Sequence, residues 1–222
     1  MMNRQWGVPL LLLLVTGCVS VPPTKHIDND GAAALRGKTV ASTTRPRADF
    51  VAMTAGKATF ALVGALAMIS AGNAIVKENG IEDPVPHMAQ ELLKDAQERY
   101  GLVTAANPLV TIDTHDIAKM AHAASGADLL IDVEPLGSSF NYQPLDWTHY
   151  SVMSRYLVRV IDVRQAKLMA NGSCFETTQK DKTLPTRDEL LADKAARLKA
   201  ILEAQRDHCL AQFKLSVLNI GG

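Results

Sequence analysis

The chain has 222 residues, of which 47% are hydrophobic, 21% charged and 5% aromatic, with 23 basic and 23 acidic side chains. That length suits one domain with a membrane-attachment segment, and the apolar fraction excludes a disordered chain. Zero net charge with no Lys/Arg cluster offers phosphates no field, which excludes a nucleic-acid binder.

Residues 1–17 have the layout of an export signal: Arg4 in a short n-region, an apolar run from 9 to 15, and small residues before Cys18. The run is shorter than the roughly 20 residues a bilayer span needs. The tetrad Val15-Thr16-Gly17-Cys18 resembles the bacterial lipobox. That resemblance implies cleavage before Cys18, acylation of the cysteine and anchoring in the lipid bilayer. By the sorting pattern of such lipoproteins, Val19 implies the outer membrane, with the protein facing the periplasm. The alternative is an ordinary secretory signal with a chance cysteine. Residues 18–37, with Pro22, Pro23 and Asp28-Asn29-Asp30-Gly31, read as the lipidated cysteine and a flexible tether, leaving 38–222 as a periplasmic domain. Cys174 and Cys209 are then the other cysteines of the mature chain. An even pair in an oxidising compartment is a disulfide candidate, worth about 4 kcal/mol for a loop of about 36 residues. Two buried free thiols or a two-ligand metal fragment are the alternatives.

Residues 38–44 and 50–54 read as short strands. The stretch 58–76, ATFALVGALAMISAGNAIV, carries no charge between Lys57 and Lys77. Its length matches a membrane span, and small residues at 61 and 65 and at 67 and 71 would allow close helix approach. Only seven of its residues are Leu, Ile, Phe or Val, so a helix or hairpin buried in the fold explains it equally well. A clearer helix follows: Asp83 caps it, Pro84 suits its first position, Gly101 closes it, and Val85, Met88, Ala89, Leu92, Leu93, Ala96 and Tyr100 make one apolar stripe. Residues 113–125 form a shorter helix. Period-two alternation then marks a strand over 127–134, and 151–163, apolar on both faces, reads as a central strand.

Residues 137–147 read as a loop, and 164–166 as a tight turn into a strand over 167–178. Thr186 and Glu189 form a capping box that starts a helix of roughly 25 residues, with Leu191, Ala195, Leu198, Leu202 and Cys209 on one stripe. On that stripe Cys209 could meet Cys174. Residues 213–220 read as a closing strand. The expected fold is α+β: a mixed sheet of about four to five strands with two or three helices packed on it, plus a long C-terminal helix.

The segment HDIAKMAHAASGADLLIDVE, followed by YLVRVIDVRQAKLMANGS, resembles the periplasmic α+β module of bacterial envelope proteins. These include the curli-secretion channel lipoprotein, the TolB amino-terminal domain and the lipoprotein activators of penicillin-binding proteins. Gly126-Ala127-Asp128 and Val160-Ile161-Asp162 carry the match, while Gln165-Ala166 stand where the family's corner has a glycine. The whole chain also resembles a group of bacterial lipoproteins in which the long C-terminal helix follows a cysteine. The resemblance transfers no partner-contacting residue.

Catalytic chemistry finds little footing. There is no Gly-x-Ser-x-Gly elbow, phosphate loop, His-Glu-x-x-His or dinucleotide fingerprint, so no enzyme, cofactor or metal is expected. His115 and His122 are two helical turns apart and cannot share one metal unaided. Asp132 and Glu134 share a strand face, which offers an acid/base pair or, as the stronger reading, a solvated face. The neighbours His208 and Cys209 diverge by about 100° on a helix and form no dyad. Four of the eleven aromatics, Phe140, Tyr142, Trp147 and Tyr150, fall within eleven residues. Tyr142 and Trp147 are the candidate partner contact, and a loop folded over the sheet edge is the alternative. The functional expectation is a non-enzymatic accessory or assembly factor of the envelope with a protein partner. The runner-up is a subunit of an oligomeric export or secretion assembly, a homo-oligomer whose residues 58–76 contact the bilayer. A hydrolase has no motif behind it.

Overall fold

The computed structural model describes residues 23–53, 61–143 and 145–220. The export signal, Cys18, residues 58–60 of the uncharged stretch and Pro144 lie outside the described residues. The elements in chain order are α1 (Asn29–Ala33), β1 (Thr39–Thr44), β2 (Phe50–Ala52), α2 (Ala61–Asn79), α3 (Pro84–Tyr100), β3 (Val103–Thr111), α4 (Ile117–Ala123), β4 (Leu129–Gln143), β5 (Asp146–Asp162), β6 (Lys167–Thr177) and α5 (Arg187–Ser216). The fold is α+β, as expected, with six strands in one mixed sheet. The order β3-β1-β4-β5-β6 is parallel through β4 and antiparallel from β4 onward.

Six strands exceed the four or five expected. β1 pairs with β4 over Leu129 to Ile131, and β2 pairs with the same edge of β4 farther along, over Ser138 to Phe140. The two short strands therefore share one position in the sheet, end to end, with residues 45–49 arching out between them. Opposite that arch β4 carries a bulge between Pro135 and Gly137. Gly137 sits at φ +116, backbone that favours glycine.

One face of the sheet packs α3 and α5 over Leu129, Ile131, Val133, Tyr156, Val158 and Val160, which meet Met88, Leu92 and Phe213. Fully burying a side chain of this size contributes about 1.5–3 kcal/mol. The α3 stripe is as the spacing predicts, with Asp83 accepting from the Val85 amide at 3.1 Å. The Tyr100 hydroxyl donates to the Leu218 carbonyl and ties α3 to the chain's last described turn. The opposite face packs α4 over Ala41, Leu130 and Ile161. Asp116 caps α4 by accepting from the Lys119 amide, which starts the helix later than the expected 113.

Four other expectations are corrected. Residues 23–37 are no free tether: Lys25 exchanges backbone hydrogen bonds with Asn171 at the β6 edge, the Ile27 amide donates to Val217, and Ile27 and Leu35 are buried in the core. Residues 137–143 and 146–147 lie in the strands of the β4–β5 hairpin rather than in a loop, because β5 pairs with β4 out to Gln143. Residues 213–216 complete α5 and Val217 caps it, instead of starting a strand: Cys209, Leu210, Phe213 and Val217 recur at helical spacing and are buried. That helix is itself interrupted at Ala192, which is extended, and at Asp193, Lys194 and Ala195, which are left-handed.

The uncharged stretch packs on the fold through the second half of α2. Gly72 lies so close to β2 that a Cβ there would sit 1.8 Å from the Phe50 carbonyl oxygen. Ile75 and Val76 are buried beside Phe50 and Ile81. Among the described residues no helix is long and apolar enough to cross a membrane. The first half of α2 is more open, with Leu66 68% exposed.

Candidate functional site

The cysteines meet as the helical stripe suggests. Cys174 on β6 and Cys209 on α5 are buried and joined in a disulfide, with 5.5 Å between their Cα atoms. Glu176 and His208 approach this pair, the imidazole Nδ1 lying 2.7 Å from the carboxylate. The two sulfurs are spent on one another, which closes the free-thiol and metal-fragment alternatives for this state.

The aromatic group divides in two. Phe140 and Tyr150 are core residues in edge-to-face contact at 5.5 Å. Tyr142 and Trp147 stack on each other at the hairpin tip, with ring centroids 4.5 Å apart. Trp147 is 55% exposed and Leu145, beyond it, 97%. The tip is braced from below by Asp146, whose carboxylate accepts from the Thr148 hydroxyl at 2.7 Å and the Thr148 amide at 3.1 Å. His149 Nδ1 lies 2.6 Å from the same carboxylate. Led by the Thr148 hydroxyl, these partners pull the Asp146 carboxyl down to about 2.

The arch between β1 and β2 organises two further clusters, one on each face of the sheet. Thr43 and Arg45 turn toward the α4 face. There the Thr43 hydroxyl donates to Asp132 at 2.7 Å, and the Arg45 guanidinium holds the same carboxylate at 2.6 Å. Arg159, opposite Asp132 in the register, reaches both Asp132, at 2.8 Å, and Glu134. His115 completes the set, its Nδ1 2.9 Å from Glu134. Asp132 is 0% exposed, so the solvated face expected from the sequence is a buried ion-pair network. Both carboxylates are held by guanidinium groups, and His122 stands exposed on α4 outside the network. Sequence spacing put both acids on one face but carried no sign of Arg45 or Arg159, which arrive from the arch and from β5.

Arg47 turns to the other face and donates to the Ile81 and Glu82 carbonyls at 2.8 and 3.0 Å, pinning the α2–α3 turn. Asn73 of α2 secures the same arch, donating to Asp49 at 2.7 Å and accepting from the Phe50 amide at 3.0 Å. Between arch, turn, bulge and α5 lies a cavity of about 340 Å³, at the small end of ligand-binding clefts. Its base interrupts an otherwise apolar sheet face. Tyr156, 1% exposed, lines it beside Ser138. The Ser138 hydroxyl donates to Ser154 at 3.3 Å, which donates to Gln205 at 2.7 Å, and Gln205 donates to the Val152 carbonyl at 3.0 Å. Burial pushes the Tyr156 phenol above its ordinary value, against the nearby Ser154 and Ser138 hydroxyls. The cavity was not foreseen, since its lining comes from segments spread between Arg47 and Arg206.

No protein-family model matches the chain, and no curated protein matches it. Among solved structures it is similar to the hypothetical protein CT253 from Chlamydia trachomatis, at 10% identity over 81% of this chain and 98% of that one, with a TM-score of 0.35. It is similar also to the lipoprotein GNA1162 from Neisseria meningitidis, at 14% identity over 78% and 99%, with a TM-score of 0.27. A PelC dodecamer from Paraburkholderia phytofirmans is matched at 9% identity over 91% and 96%, with a TM-score of 0.28.

Proposed function

We propose that the chain is a lipid-anchored protein of the bacterial outer membrane whose periplasmic α+β domain serves as a non-enzymatic accessory or assembly factor. The observation that carries this reading is the tetrad ending in Cys18, five residues before Pro23. Five residues reach at most about 18 Å, and the chain is docked on the domain from Pro23, whose carbonyl accepts from Asn171. An acylated Cys18 would therefore hold the domain close against the bilayer. The exposed tip of Tyr142, Leu145 and Trp147 then supplies a rigid apolar contact for a protein partner.

A second reading, an oligomeric export subunit with α2 on the bilayer, draws on the exposure of Leu66. Fractionation and sizing of wild-type and Cys18→Ala protein separate the two. The first reading expects wild type in the outer-membrane fraction and the variant released as a monomer or dimer. A variant that stays membrane-bound or forms rings favours the second, and a wild type already in the soluble fraction rejects the anchor. Replacing Tyr142 and Trp147 together by Ala should abolish co-purification of the partner at unchanged melting temperature; equal loss of stability would assign the pair to folding instead.

A further inference from the structure

The cavity under the β1–β2 arch has features that folding alone does not require. A sheet face built from Val152, Tyr156, Val158 and Val160 buries Ser154 at the point where the register brings Ser138 opposite it. Buried hydroxyls and amides cost stability unless they are paired. Here they form a relay that ends at the base of an open cleft, beside a bulge, a feature common next to binding sites. The walls are set in advance, because Arg47 is held by two carbonyls and Asn73 by the arch.

Charge on the lining decides the chemical class. Arg47, Lys199 and Arg206 face Asp49, Glu82, Asp83 and Glu203. Three cations against four carboxylates do not make a phosphate or polyanion site. Sugar stacking finds no exposed Phe, Tyr or Trp ring among the lining residues, since Phe50 is 4% and Tyr156 1% exposed. Several of these charges are already engaged: Arg47 by the carbonyls of the α2–α3 turn, Asp49 by Asn73, Asp83 by the α3 cap and the Arg206 Nε by Asp207. Lys199 and Glu203 make no ion pair with a described residue. They sit four apart on α5, with Arg206 three beyond, so one helix face presents cation, anion and cation in a row. Ile81, Leu202 and Pro135 supply apolar wall between the charges.

We infer that this cavity binds a small zwitterion, a free amino acid or dipeptide. Its ammonium group meets Glu203, its carboxylate meets Lys199 or Arg206, and its backbone polar groups meet the Ser138 and Tyr156 hydroxyls. The site is independent of the lipid anchor, and the anchor can fail without affecting it.

Alanylalanine titrated calorimetrically into the full chain in detergent micelles tests this, with the end-blocked N-acetyl dipeptide amide as control. The expected result is saturable one-to-one binding of the free dipeptide and none of the blocked one. Lys199→Gln and Glu203→Gln should each weaken binding about tenfold, the worth of one charge-assisted hydrogen bond. Both changes lie on an accessible helix face and leave the fold in place, which the melting temperature verifies. Tyr156→Phe, which keeps the ring, should weaken binding with the melting temperature held. Absence of saturable heat with alanylalanine overturns the inference, as does equal binding of the blocked dipeptide or full affinity in both charge variants.

Discussion

Ala166, at the β5–β6 corner, sits at φ +50 and is exposed. A Cβ in the left-handed region costs about 1–2 kcal/mol, whereas glycine there costs about 0.4–1 kcal/mol through the freer unfolded chain. Ala166→Gly should therefore raise stability by about 0.5–1 kcal/mol, read as a higher urea midpoint at unchanged slope. No gain would mean that the corner relaxes out of the left-handed region in solution. The opposite sign applies at Arg159. Removing its charge leaves Asp132 to Arg45 and the Thr43 hydroxyl, and Glu134 to the solvent-facing His115 and an Arg45 nitrogen 4.0 Å away, inside a buried cluster. Breaking a buried ion pair from one side costs about 3–5 kcal/mol, so Arg159→Met should lower the same midpoint several times more than Ala166→Gly raises it. A loss under about 1 kcal/mol would show that water enters the cluster.

The β4–β5 hairpin carries the element-scale prediction. Asp146 is held near 2 against an ordinary 3.8, so its folded value is the lower one. Its contribution to the tip is then complete above about pH 4 and is lost as the pH falls toward 2. Trp147 is the only tryptophan after Trp6 in the chain and stacks on Tyr142 beside that carboxylate. Its emission should hold steady from neutrality to about pH 4 and change below it, ahead of the far-ultraviolet circular dichroism. In Asp146→Asn the acid step should vanish; a step that persists would place its cause elsewhere. The same hairpin shows where the sequence ceased to be legible. Helix α3 was readable because Asp83, Pro84 and Gly101 are local signals, and the Thr186 capping box forms for the same reason. Gly137, Ser138, Ser139 and Asn141 are turn-formers by type, yet strand pairing with β5 extends them. Phe213 to Ile220 has strand-like composition, and the helical spacing of Cys209, Leu210, Phe213 and Val217 outweighed it. The cavity left no local trace at all. Its walls are joined by tertiary contacts such as Arg47 to the Ile81 carbonyl.

At the scale of the whole molecule the disulfide joins the two layers, sheet edge to covering helix. Cys174 lies three residues along β6 from Asn171, where the docked Lys25 segment pairs with the sheet. The bridge therefore fastens α5 beside the strand through which an acylated Cys18 would pull on the domain. Its contribution comes chiefly from the unfolded chain: linking residues 35 apart in sequence removes loop entropy worth about 4 kcal/mol. In a domain of this size that corresponds to roughly 8–16 °C in melting temperature. The double variant Cys174→Ala/Cys209→Ala should show a loss of that order in calorimetry. Reductant added to folded wild type should act slowly, since both sulfurs are buried and exchange needs an accessible disulfide. Reductant added in denaturant should reproduce the full loss at once. A double variant as stable as wild type would mean that the packing of Phe213 and Val217 under the sheet already holds α5 in place, leaving the disulfide no structural part.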